Sequence, residues 1–180
     1  QDAATHEFGK QNYRQAMRTY QKAEDLCDSA QKMITLREQP EVGSSQGDMD
    51  MLQNVRQLQV LCWLNRSLCH FLLEEYEESF ICCAQVFKDQ FSDLKSKIKA
   101  LLRAGHSLCT LATQDDQKKN LLQTAVLCTA IAKKTINADP VNYFEFMEAM
   151  KPLQRQISDL QSKIDTKCQA SGLLSRALNS

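Results

Sequence analysis

The sequence predicts an all-α domain, and three observations lead there. Only 5 Gly and 3 Pro punctuate 180 residues, far fewer turn formers than a β-sandwich or barrel needs. Apolar residues recur at three- and four-residue steps over long stretches, the mark of amphipathic helices. Hydrophobic residues at 43% and charged residues at 24% suit a folded core rather than a disordered chain. A chain this long buries roughly 70% of its unfolded surface. One domain, or one domain with an extension, is expected.

Taken in order, residues 2–33 break at Lys10-Gln11-Asn12 and resume at Tyr13. Beyond the break Ala16, Met17, Tyr20, Ala23 and Cys27 share a helical face, so the segment is expected to form a hairpin of two helices. Pro40 to Asp48 is loop-like, a surface connection. Met51 to Leu73 forms a helix apolar around most of its circumference from Leu58 onward, as for a helix packed on two sides. Glu74-Glu75 makes a turn, and Tyr76 to Lys88 a second helix. Ser92-Asp93 caps a third that runs to about Ala112. The polar run 114–119 ends it. Asn120 to Asn137 is its partner, stopped at Asp139-Pro140 because a residue before proline is pushed out of helical geometry. Phe146, Met150, Leu153, Ile157, Leu160 and Ile164 then follow a heptad pattern, with Pro152 as a bend or restart. Such a helix either caps its own domain or forms a short coiled coil.

Lys and Arg total 22 and Asp and Glu total 22. That balance argues against a broad nucleic-acid surface. No apolar run reaches the length of about 20 residues that a membrane span needs, and no signal-peptide start is present. The eight cysteines, at 27, 62, 69, 82, 83, 109, 128 and 168, are too sparse for a disulfide scaffold. None forms a Cys-x-x-Cys pair, and His6, His70 and His106 are not spaced as zinc partners. Buried, reduced thiols are expected, and with them a cytoplasmic or also nuclear location. No metal or other cofactor is implied.

Three stretches align at the start of what would be each hairpin's second helix: NYRQAMRTYQKA at 12–23, EYEESFICCAQV at 75–86 and NLLQTAVLCTAI at 120–131. Each carries a small residue, Ala16, Ser79 or Ala125, where two helices would cross closely. In these residues, and in the Ala-Asp-Pro of 138–140, the chain resembles the tetratricopeptide repeat family. The small residues stand 63 and 46 apart, against the family's 34-residue period. Tetratricopeptide domains of immunophilin type carry a comparable long insertion and end in an extra helix, and Trp63 to Phe87 matches that group most closely.

The resemblance implies three helical hairpins stacked in a right-handed superhelix plus a C-terminal helix. It divides the chain into a three-repeat domain over 1–140 (long connection about 34–50), a capping helix over 141–170 and a frayed tail over 171–180. Because the chain starts at Gln1, a longer protein is expected. Immunophilins carry a prolyl-isomerase domain before their repeats.

No catalytic constellation emerges within these residues: no nucleophile elbow and no phosphate-cradling glycine loop. The adjacent glutamates 74, 75, 77 and 78 read as a solvated helix start that suits the helix dipole. His70 and His106 read as structural. Lys99 and Arg103, four apart on one helix, share a face and repel mildly unless an anion bridges them. Lys95 and Lys97 add to that positive field. Asn65, in the apolar segment WLNRSL, wants a hydrogen-bond partner. The resemblance implies more. Asn65, Lys99 and Arg103 match clamp positions with which tetratricopeptide co-chaperones hold the acidic C-terminal tail of a heat-shock chaperone. In the first repeat Thr5 stands where asparagine is usual and Gln1 where lysine is usual, so the clamp is partial. The expectation is a monomeric adaptor, not an enzyme, that binds a chaperone tail or another protein partner. Otherwise the cations are simply exposed and Asn65 is satisfied internally.

Overall fold

Of the 180 residues, the computed structural model describes 2–37, 46–114, 120–137 and 143–178. Side chains are described over 9–36, 47–114, 120–137 and 144–162 except Leu160. All six elements are α-helices: α1 (Asp2–Arg37), α2 (Gln46–Leu72), α3 (Tyr76–Lys88), α4 (Leu94–Gln114), α5 (Asn120–Asn137) and α6 (Tyr143–Leu178). No strand occurs among the described residues, so the all-α class holds. The bounds expected for α3 and α5 are met, and α2 starts earlier than expected, at Gln46.

The hairpin expected within 2–33 does not form, because α1 runs unbroken through it. Gly9 and the polar run after it lower helix propensity, Gly by about 1 kcal/mol relative to Ala. Neither stops a helix: the stretch holds no proline, and no glycine there has a positive φ. Pro152 likewise sits inside α6 without interrupting it, and α6 continues to Leu178, past the end expected at 170. Asp139-Pro140 and the polar run 115–119 lie outside the described residues.

Two junctions show how the helices are turned. At the end of α2, Glu75 N–H donates to the carbonyl of His70 (2.9 Å) and Glu74 N–H to that of Phe71 (3.1 Å). This is a Schellman cap, and Glu74 occupies its left-handed position at φ 64°. At the start of α4, Asp93 accepts from the backbone N–H and the hydroxyl of Ser96, each at 2.8 Å. Asp93 is the cap; the hydroxyl of the neighbouring Ser92 is buried without a partner.

Helices neighbouring in sequence pack on one another, and in addition α2 touches α4 and α4 touches α6. Even-numbered helices thus form a continuous layer. One core cluster lies where α4, α5 and α6 meet, around Ile98, Cys109, Ala125, Ile136, Phe146, Met150 and Leu153. A second joins α2, α3 and α4 around Val60, Trp63, Leu64, Cys83, Val86, Ala100 and Ala104. Phe80 and Cys128 pack against both. The heptad residues Phe146, Met150 and Leu153 are therefore buried on their own domain, with Ile157 at the edge. Leu160 and Ile164 lie outside the described side chains.

The seam between α1 and α2 is held by polar groups as well as by Cys27 and Ile34. Gln31 donates to Gln59 (2.7 Å), Gln59 to Asp28 (2.6 Å) and the Trp63 indole to Glu24 (2.8 Å). Arg66 pairs with the same glutamate. Buried polar side chains of this kind hold only because each finds its partner.

Six of the cysteines, at 27, 62, 69, 82, 83 and 109, are buried and free, and Cys128 is half-buried. Burial pushes the thiols of Cys83 and Cys109 up to about 11. For Cys83, a Ser67 hydrogen bond and the Arg103 charge pull weakly the other way. Cys83 and Cys109 therefore act as small hydrophobes, not nucleophiles.

Two predictions follow from this packing. A Cβ on Gly105 would stand 2.7 Å from Leu153 Cδ2, and Leu153 is fully buried. Gly105→Ala should destabilise by about 1 kcal/mol, because overpacking exceeds the helix-propensity gain. In a Leu153→Ala background the same change should stabilise by about 1 kcal/mol; urea unfolding of the four proteins checks the sign reversal. The second concerns pH. An unfolded thiol ionises near about 8.5, so the stability gained by burying Cys83 and Cys109 protonated is complete below that pH. It is lost as pH rises through about 11. Stability of the parent should fall above about pH 9 by up to about 1.4 kcal/mol per unit per thiol. The Cys83→Ala, Cys109→Ala double variant should show a shallower fall.

Candidate functional site

Lys95, Lys99, Arg103 and His106 recur at four- and three-residue steps along α4, so they share one face. Lys97, about 200° around the helix from Lys95, does not belong to it. Along this face runs a groove of about 370 Å³, walled by Leu68 and Phe71 of α2 and by Glu145, Phe146 and Ala149 of α6. Its α4 floor is Lys99, Leu102, Arg103 and His106.

The sequence-predicted site residues meet different fates. Lys99 is exposed in the groove. Arg103 lines it as well but is half-buried, and its Nη1 donates to the Leu64 carbonyl and the Ser67 hydroxyl, both at 2.6 Å. Burial lowers the affinity of this guanidinium for its proton, opposed weakly by neighbouring Cys83 and Cys69. An arginine stays charged through such a shift. Three of its five N–H groups belong to the other two nitrogens, so a groove ligand has donors left to meet. Asn65 is exposed on α2 and is not among the groove's lining residues. It shares an exposed stripe with Leu58, Leu61 and Leu68. The side chain of Thr5, like Gln1, lies outside the described residues.

Three participants were not anticipated. His106 Nδ1 meets Gln156 Oε1 of α6 at 2.9 Å, and its ring stands edge-on to Phe71, with centroids 6.4 Å apart. Its spacing from Lys99 and Arg103 was a usable signal. Phe71 was legible only as apolar. Glu145 could not be found from sequence, because only the docking of α6 brings it to the groove. Its carboxylate lies 3.9 Å from the Lys95 ammonium, and it makes the rim partly acidic. Lys95 thereby makes a weak, exposed ion pair with α6.

The arrangement can hold an anion between an exposed ammonium and a fixed guanidinium, beside the apolar surface of Leu68, Phe71 and Phe146. No protein-family model matches this chain, and no solved structure matches it. Among the described residues no group of three or more His, Cys, Asp or Glu side chains is placed to hold a metal ion. None of the described helices is long and apolar enough to cross a membrane.

Because Arg103 bonds to the fold as well as facing the groove, the two cations should separate by stability. Arg103→Ala leaves the Leu64 carbonyl and Ser67 without a charged donor and should cost about 1.5–3 kcal/mol. Arg103→Lys should recover part of that, keeping the charge but not the fork. Lys99→Ala should stay within about 0.5 kcal/mol of the parent. Chemical unfolding of the three variants checks the order.

Proposed function

We propose that this chain is a tetratricopeptide-like interaction module whose even-helix face binds the acidic C-terminal tail of a heat-shock chaperone, of the heat-shock protein 90 or 70 class. The observation that carries the proposal is the pairing of Lys99 with Arg103 in one groove, Arg103 being held in place by Leu64 and Ser67. Two antiparallel pairs, α2 with α3 and α4 with α5, stacked through α2 and α4 and closed by α6, support the repeat-like reading. The unbroken α1 departs from it, since a first hairpin would supply the remaining clamp side chains.

A terminal carboxylate would lie between the Lys99 ammonium and the free N–H groups of Arg103. The peptide's apolar side chains would pack on Leu68 and Phe71. Each charge-assisted hydrogen bond contributes about 1.5–3 kcal/mol. Desolvation and lost peptide entropy reduce the total, so affinity in the micromolar range is expected. Glu145 at the rim works against an acidic ligand. That one observation favours a second reading, a helical scaffold that binds a partner without a terminal carboxylate.

Calorimetry with two acidic peptides, one with a free C-terminal carboxylate and one amidated, separates the readings. The free acid should bind at least tenfold more tightly, a difference of about 1.4 kcal/mol. Lys99→Ala should weaken it about two- to fivefold, as expected for an exposed ion pair. Glu145→Gln should tighten it by a similar factor. Equal affinities for the two peptides remove the clamp and leave the second reading.

A further inference from the structure

A second cavity, of about 280 Å³, opens on the opposite side of α4, between α3 and α5. The backbones of the two outer helices do not approach each other closely. They are held apart over α4, where Ala100 and Ala104 are too small to fill the space between them. The walls are Phe80, Phe87, Leu127 and Ile131, of which the last three are 44%, 60% and 40% exposed. Single exposed apolar residues are ordinary, but three that converge on one concave apolar surface are not. Among the lining residues Lys88 alone is charged, and no carboxylate among the described residues pairs with its ammonium.

Direction follows from topology. Antiparallel packing of α3 on α4 and of α4 on α5 makes α3 and α5 run parallel. Lys88 and Ile131 therefore lie at one end of the cavity, and Phe80 and Thr124 at the other. Eight residues of helix separate Phe80 from Lys88, a span of about 12 Å. The result is an apolar slot with a cation at one end. At roughly 30 Å³ for each small group, the cavity holds about nine methylenes.

We propose that this slot binds a medium-chain anionic amphiphile, with its carboxylate at Lys88 and its alkyl chain laid over Ala100 and Ala104 toward Thr124. This site is separate from the groove that holds Lys99 and Arg103, so it stands or falls independently of the peptide-binding proposal. Charge complementarity selects an acid over an alcohol, and the size of the slot selects the chain length.

The test is a calorimetric titration of the full chain with hexanoate, octanoate and decanoate, each below its micelle concentration. Affinity should rise roughly fourfold per added methylene up to decanoate. Decanol and decylammonium should bind more weakly than decanoate. Lys88→Ala should weaken decanoate about three- to fivefold and leave decanol unchanged. Leu127→Glu, at an exposed position that leaves the core intact, should abolish decanoate binding. Decanoate should also slow alkylation of Cys128, a lining residue, as followed by mass spectrometry. Affinity independent of chain length, equal binding of decanol and decanoate, decanoate binding unchanged by Lys88→Ala, or unprotected Cys128 would each overturn the proposal.

Discussion

A hydrogen-bonded node at the crossing of α2, α3 and α4 is the constraint on which the rest of the molecule depends. Ser67, Ser79 and Ser107 are each fully buried, one on each helix. Ser79 donates to the Ser67 carbonyl (2.9 Å) and Ser107 to the Ser79 hydroxyl (3.2 Å). Arg103 closes the node from the groove side through Leu64 and Ser67. Small side chains let the three backbones approach, and each hydroxyl finds a partner. A buried polar group left unpaired would cost about 1–3 kcal/mol, so the three helices are fixed in one register.

Around that node the apolar clusters divide the work. The α2–α3–α4 cluster lies on one side and the α4–α5–α6 cluster on the other, with Phe80 and Cys128 between them. Cysteine suits these positions because it fills little more space than alanine while remaining hydrophobic. Helix α4 belongs to both clusters, and its buried face includes Ile98, Leu101, Ala104, Leu108 and Cys109. It is thus the axis of the structure. Ala100, Leu101 and Ala104 also floor the apolar cavity, while Lys99 and Arg103 floor the cationic groove.

Under the proposed function, Arg103 links the fold to the groove. The bonds that hold α2 against α4 also fix the guanidinium that would meet an anion. Preorganisation of this kind lowers the cost of binding, since the side chain has already lost its freedom. Under that proposal, loss of Arg103 would change stability and binding together, whereas Lys99 and Glu145 would act at the groove alone.

By itself the sequence determined the local structure. The spacing of apolar residues, Asp93 before α4, Glu74-Glu75 after α2 and the heptad of Phe146, Met150 and Leu153 are local signals, and α3 and α5 have the bounds they imply. Signals of breakage were weaker. Lys10-Gln11-Asn12 resembled a turn, but a helix continues through polar residues when nothing blocks its hydrogen bonds. At the site, the shared face of Lys99 and Arg103 was legible because helical period alone puts them together. Tertiary structure decided that Arg103 is half-buried on Leu64, that Asn65 faces outward, and that Glu145 reaches the groove. Each of these depends on which helix packs beside α4. That choice is made by side chains far apart in the chain, and no local periodicity encodes it.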